Sequence, residues 1–189
     1  MIISLSGAPG SGKSTIAQML ADKLNWSRHY IGGLRREKAK ERGMTLAEYN
    51  KLGESDPKTD QEVDYYQRDL GKNKDNFVIE GRTSWYFIPQ SLKIYLDVSL
   101  EEGAKRIFAS LQRKNERNED TNLNSWQDVM KSNNNRLESD KIRYKKYYDI
   151  EVYDKSNYDF YLDTTNLTPG QVFQAVASFV EASLDKRKI

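Results

Sequence analysis

A parallel β-sheet covered by helices on both faces, a three-layer α/β/α fold, is what this sequence predicts. Three observations lead there. Short apolar runs alternate with stretches of helical periodicity along the chain, as they do where parallel strands are joined by crossover helices. The first run, Ile2 to Ser6, leads straight into Gly7-Ala8-Pro9-Gly10-Ser11-Gly12-Lys13-Ser14-Thr15, which satisfies the phosphate-loop pattern G-x-x-x-x-G-K-[ST]. Two further polar clusters, Gly32 to Arg36 and Glu80 to Arg82, stand at the carboxyl ends of later runs, where ligands bind in such sheets. Together these describe a P-loop NTPase fold with a five-stranded parallel sheet, in one domain spanning residues 1–189.

Taken in order, the first strand is Ile2 to Ser6. Ile16, Met19, Leu20 and Leu24 recur at helical spacing, so a helix begins near Lys13. A short strand lies near Arg28 to Ile31, with Gly32 and Gly33 ending it. Two helical pieces follow, from Arg35 to Arg42 and from Thr45 to Gly53. The second opens on the capping box Thr45-Leu46-Ala47-Glu48. Pro57 suits the first position of the next helix, which runs to about Leu70 with Gly71 as its stop. Phe77 to Ile79 and Leu92 to Val98 are strands. Ser99 caps a helix that reaches about Arg113. Residues 114–123 are polar and aperiodic and read as a loop. Ser125 to about Tyr148 is one helix or two, and Tyr158 to Asp163 is the last strand. Thr168-Pro169 starts a final helix whose Val172, Val176, Phe179 and Val180 face the core.

Composition narrows the possible partners. Lys plus Arg is 30 and Asp plus Glu is 28, a net charge of +2, so overall charge argues for no nucleic-acid partner. With no cysteine, disulfides, thiolate metal sites and cysteine nucleophiles are excluded. No apolar stretch approaches the ~18 residues of a membrane span, and the N-terminus lacks a signal-peptide pattern. A cytoplasmic monomer is expected.

The chemistry begins at the loop. Its glycines let backbone N–H groups converge on a phosphate, and the helix N-terminus adds about half a positive charge there. Lys13 would reach the terminal phosphates of a nucleoside triphosphate, and the Ser14 hydroxyl would hold Mg²⁺. Arg82 carries a fork of donors matched to phosphate oxygens, although pairing with a helix acid is the competing role. Arg36 is a second phosphate clamp or part of a solvated charged face. Asp60, Asp64 and Gln67 fall on one helix face, with Val63, Tyr66 and Leu70 on another that packs inward. The polar stripe can read a base or a ribose, but spacing alone favours solvated surface. Arg136, Asp140 and Arg143 repeat the device in a basic segment, 131–146, which Arg106, Arg113 and Arg117 precede. Next to a triphosphate site this reads as a lid closing over the charge of phosphoryl transfer. On its own it reads as a soluble helix or a nucleic-acid patch. His29 and the tyrosines 144, 147 and 148 read as packing residues.

These motifs taken together resemble the nucleoside monophosphate kinases, most closely the archaeal-type cytidylate kinases. The resemblance covers nearly the whole chain. It rests on the 7–15 loop, Arg36 followed by Ala-Lys-Glu-Arg-Gly-Met at 39–44, the Pro57, Asp60, Asp64 and Gln67 helix, Val78-Ile79-Glu80-Gly81-Arg82, Leu96-Asp97-Val98-Ser99-Leu100-Glu101, and Arg136, Asp140 and Arg143. What it implies is transfer of the ATP γ-phosphoryl group to CMP or dCMP, giving CDP or dCDP, with Mg²⁺. It implies that Gly7 to Thr15 and Arg106 bind ATP, and that Lys13, Arg82, Arg136, Arg143 and Asp140 form the catalytic set. Arg36, Asp60, Asp64, Gln67, Gly81 and Arg82 would bind the acceptor. Residues 33–75 would be the acceptor insert and 110–149 the lid region. The chain departs from the pattern at Ile31, Gly33 and Ser110, the last standing where a second arginine is usual. Two alternatives stay open: another small P-loop kinase, for adenylate, a deoxynucleoside or an alcohol such as shikimate, and a nucleotide-dependent RNA-binding or assembly factor.

Overall fold

The computed structural model describes residues 1–112 and 123–186. Five strands form one parallel sheet: β1 (Ile2–Gly7), β2 (Ser27–Tyr30), β3 (Phe77–Glu80), β4 (Leu92–Asp97) and β5 (Phe160–Asp163), in spatial order β2-β3-β1-β4-β5. The eight α-helices of the described residues are α1 (Lys13–Leu24), α2 (Ile31–Glu41), α3 (Leu46–Gly53), α4 (Lys58–Asn73), α5 (Ser84–Phe87), α6 (Leu100–Leu111), α7 (Trp126–Tyr148) and α8 (Pro169–Lys186), and a single 3-10 turn spans Lys155–Asn157.

Alternation within the strands builds two cores. Ile3, Leu5, Val78, Ile94 and Leu96 face α1 and α8, meeting Ile16, Leu20, Val172, Val176 and Val180. Ile2, Phe77 and Ile79 point to the other face, where Ile31, Val63, Leu70 and Ile88 cover them. The sheet is therefore buried on both sides, which is why its central strands read as continuous apolar runs. A third, separate cluster of Ala104, Ile107 and Val129 joins α6 to α7. It holds the long α7 at the end of the sheet where the loops gather. Among the described residues no helix is long and apolar enough to cross a membrane.

Several boundaries differ from the sequence expectation, each for a local reason. Gly71 does not stop α4, which continues to Asn73. Its missing Cβ makes room for Ile88, whose side chain would stand 2.8 Å from one. Gly32 and Gly33 do not end β2 but form the first turn of α2. The Tyr30 ring lies across both of them, within 2.8 and 2.7 Å of where each Cβ would be. Pro57 sits just ahead of α4 rather than inside it. Tyr66 is exposed instead of packed inward, although its hydroxyl meets His29 Nδ1 at 2.8 Å. The Thr45 capping box is present in both halves, and α7 is a single helix. Most of the expected loop at 114–123, with Arg113 and Arg117, lies outside the described residues.

Candidate active site

The phosphate loop is held by the strands beside it. Gly7 has φ 142°, and a Cβ there would fall 1.9 Å from the Leu96 carbonyl oxygen. That same oxygen accepts the Ala8 N–H at 3.1 Å, tying the loop's entry to β4. At Gly10, φ is 81° and a Cβ would strike the backbone of Gly103 at 2.3 Å, so the loop rests directly on the first turns of α6. Gly12 then caps α1 in a left-handed conformation. Lys13 Nζ donates to Ala8 O at 2.6 Å and folds back over the loop. Ser14 Oγ donates to Glu80 Oε2 at 2.6 Å, while Arg28 Nε holds Glu80 Oε1 at 2.8 Å. An unblocked helix N-terminus, an ammonium and a hydroxyl–carboxylate pair thus converge at one point.

From the loop opens a cleft of about 460 Å³. The segment Pro9 to Thr15 lines it together with Arg36, Asp60, Asp64, Gly81 and Arg82. Arg106 and Arg136 reach it from α6 and α7, and Ser110 lines it one turn after Arg106. Arg36 is fixed by the Tyr30 hydroxyl at 2.6 Å and the Gly32 carbonyl at 3.1 Å. Arg106 donates to Glu102 and to the carbonyls of Thr164 and Thr165. The Thr164 hydroxyl donates to Asp97 O at 2.8 Å and lies 3.3 Å from Ser11 O, so Arg106 sits at the loop's shoulder. Arg82, the arginine for which sequence left two roles, pairs with Asp140 of α7 through Nε at 2.6 Å and also lines the cleft.

From the cleft wall into the interior behind it runs a chain of buried charges that sequence reading did not anticipate. Arg35 Nη1 meets Asp60 Oδ1 at 2.7 Å, and Asp60 meets Arg143 Nη1 at 2.5 Å. Arg143 Nη2 then meets Asp140 Oδ1 at 2.5 Å, and Asp140 meets Arg82. Four segments of the chain, α2, α4, α7 and the end of β3, are joined this way. Asp60, Asp64 and Gln67 are therefore not a solvated stripe; they are 2, 5 and 0% exposed. Arg143 and Asp140 are likewise no exposed helix face, at 0 and 1%. Burial works to raise the Asp140 pKa, but the guanidinium groups of Arg82, Arg143 and Arg136 outweigh it and hold the carboxyl below its ordinary value. Asp64 lacks so close a cation. Burial pushes its pKa up to about 7, although the Tyr148 hydroxyl donates to it and works the other way.

The predicted residues thus divide. Pro9 to Thr15 of the loop, Arg36, Gly81, Arg82, Arg106, Arg136, Asp60 and Asp64 meet in the cleft, while Gly7 and Ala8 are not part of its lining. Gln67, Asp140 and Arg143 stand behind it. Gln67 spans Asp64, Thr83 and Ser84, and Arg143 bridges two carboxylates. Sequence reasoning placed Glu80 at a strand end without a role; the signal was a lone acid closing an apolar strand beside the loop strand. Tyr30, a cleft wall, carried the signal of an aromatic ahead of a glycine pair. Arg35 and Tyr148 gave no sign, because their partners are remote in sequence.

Comparison with known proteins agrees with this geometry. A family model described as an AAA domain matches residues 3–145. The chain is 33% identical over 183 residues to cytidylate kinase of Methanococcoides burtonii, covering 97% of this chain and 98% of that protein. It is 35% identical over 188 residues to cytidylate kinase of Methanocella arvoryzae, covering 100 and 99%. Among solved structures, shikimate kinase from Bacteroides thetaiotaomicron superposes with a TM-score of 0.63 at 15% identity, over 96% of this chain and 98% of that one. Shikimate kinase from Aquifex aeolicus gives 0.58 at 17%, over 97 and 98%. At such identities the structural likeness speaks for the fold alone.

Proposed function

The chain belongs to the cytidylate kinase family, and from that premise we propose that it transfers the γ-phosphoryl group of ATP to CMP or dCMP in the cytoplasm. An acceptor phosphate oxygen forms a bond to the γ-phosphorus as the bond to the β,γ-bridging oxygen breaks, leaving ADP and CDP or dCDP. The observation that carries this reading is one cavity lined both by the phosphate loop and by Arg36 and Arg82. Two anionic substrates thereby face each other across positioned cations, and phosphoryl transfer needs little more than positioning and charge stabilisation.

Each residue has a role within the reading. The loop N–H groups and Lys13 hold the ATP phosphates, with Arg106 at the loop's shoulder. Arg36 and Arg82 grip the acceptor phosphate, and Arg136 approaches from α7 to the charge that develops between them. Ser14 and Glu80 supply hard oxygen donors beside the loop, the donor type Mg²⁺ takes when substrate phosphates complete its shell. When bound, Mg²⁺ neutralises charge on the β- and γ-phosphate oxygens. Asp60 and Asp64 stand along the acceptor's side of the cleft.

The RNA-binding alternative drew on the basic segment 131–146. Arg143 is buried there, and of the lysines Lys141 pairs with Glu138 and Lys145 with Asp149 just past the segment. A phosphorylation assay with ATP against a panel of nucleoside monophosphates and shikimate tests the proposal. CMP or dCMP should give the highest kcat/KM. Turnover of shikimate or AMP in preference to CMP would refute it.

A further inference from the structure

A guanidinium grips a phosphate through two parallel N–H bonds only if its plane is fixed in advance. Among the described residues, the Arg82 side chain makes both of its polar contacts through Nε. The Nε–H donates to the Tyr153 hydroxyl at 2.9 Å. Asp140 Oδ2 lies 2.6 Å from the same nitrogen as an ion pair. The Tyr153 hydroxyl donates in turn to that carboxylate oxygen at 2.7 Å, closing a triangle. Tyr153 comes from the segment between α7 and β5, which belongs to none of the sequence motifs.

The two partners do different things. Asp140 supplies charge, and it keeps that charge whether or not Tyr153 is present, because Arg143 holds its other oxygen. Tyr153 supplies direction, since the one hydrogen on Nε points at its hydroxyl. With Nε engaged, the two terminal nitrogens of Arg82 have no hydrogen-bond partner among the described residues, and the residue lines the cleft. We infer that Tyr153 is a positioning residue, whose hydroxyl sets the plane of Arg82 for bidentate capture of the acceptor phosphate. The inference rests on the proposed role of Arg82 as the acceptor clamp.

Steady-state kinetics on the wild type, Tyr153→Phe, Arg82→Lys and the double variant test it, with CMP and ATP varied separately. Phenylalanine keeps the ring and removes only the hydroxyl, so melting temperature should stay near that of the wild type. Losing one bond to a charged group should raise the CMP KM roughly tenfold while the ATP KM stays within about twofold of the wild type. Arg82→Lys has no fork left to orient, so adding Tyr153→Phe to it should change little. A raised CMP KM in Arg82→Lys with no change in Tyr153→Phe overturns the positioning role and leaves the acceptor clamp standing. Multiplicative effects in the double variant overturn it too, as does an equal rise in both KM values for Tyr153→Phe. An unchanged CMP KM in Arg82→Lys overturns the clamp and the inference together.

Discussion

The phosphate loop and the buried charge chain are built from the same materials in opposite ways. The loop is nine consecutive residues, and its chemistry comes mostly from backbone N–H groups turned inward by glycine conformations and a helix start. The chain Arg35–Asp60–Arg143–Asp140–Arg82 comes from four segments, and its chemistry is all side chain. The loop concentrates positive potential where a ligand can reach it. The chain pairs its charges with one another, away from water, and so fixes α7 and α4 relative to the sheet. Changing a loop residue should therefore cost catalysis, and changing an inner member of the chain should cost the fold.

The largest expected effect tests the catalytic side. Lys13→Ala removes a point charge aimed at the terminal phosphates and leaves the backbone cradle intact. We expect kcat to fall by ~10³-fold or more, with a thermal unfolding midpoint close to the wild type. Near-normal turnover in a folded variant would sink the assignment of the loop.

Next comes the structural side. Sequence spacing placed Arg143 on an exposed helix face, where i,i+4 pairs contribute only about 0.2–0.5 kcal/mol. The structure buries it completely between Asp60 and Asp140. Removing one partner of a buried pair leaves an uncompensated charge and costs ~3–5 kcal/mol. Arg143→Ala should therefore unfold at markedly lower urea than the wild type, and any loss of turnover should follow the folded fraction. A variant as stable as the wild type, but with kcat reduced a hundredfold, would put Arg143 back among the catalytic lid residues.

Arg136 gives the sharpest contrast, because it shares α7 with Arg143 and lines the cleft. Arg136→Ala should reduce kcat by about a hundredfold, worth ~2.7 kcal/mol of transition-state stabilisation, and move the unfolding midpoint little. Equal losses of stability in Arg136→Ala and Arg143→Ala would erase the distinction between a cleft arginine and a core arginine.

What could be read in the sequence follows the same division. Strand order along the chain, the helix caps at Thr45 and Ser99 and the whole phosphate loop depend on residues within a few positions of one another, so their pattern is visible in one dimension. Arg82 could be placed too, because an arginine at the carboxyl end of a strand neighbouring β1 must open on the same crevice. The pairing of Asp60 with Arg143 spans |i−j| = 83, and no local periodicity encodes it. Polar residues at helical spacing look alike whether they meet water or a second helix. Gly71 misled for a related reason: it was read as a stop, and it is a slot for Ile88.

Asp64 tests the comparison on the finest scale, because it sits between the two regions. It is a buried carboxylate like Asp140, but it lines the cleft and, among the described residues, makes no ion pair, Arg35 and Arg143 acting on it only from farther off. Burial raises its pKa to about 7, whereas Asp140 is held below its ordinary value. The signs of the resulting pH effects are opposite. Asp140 binds its proton more weakly in the folded state, so its contribution is present above the unfolded carboxyl pKa of ~4 and is lost as pH falls through the lower folded value. Asp64 binds its proton more tightly when folded, so its contribution is complete below ~4 and is lost as pH rises through about 7. Asn at position 64 resembles the neutral acid and cannot ionise. Asp64→Asn should therefore unfold later than the wild type at pH 8, by roughly 3–4 kcal/mol, with the gap narrowing steadily toward pH 5. Urea unfolding of both proteins at pH 5, 6, 7 and 8 measures it. A gap that is constant across the four pH values would mean that Asp64 does not titrate there, and that Tyr148, Arg35 and Arg143 together outweigh its burial.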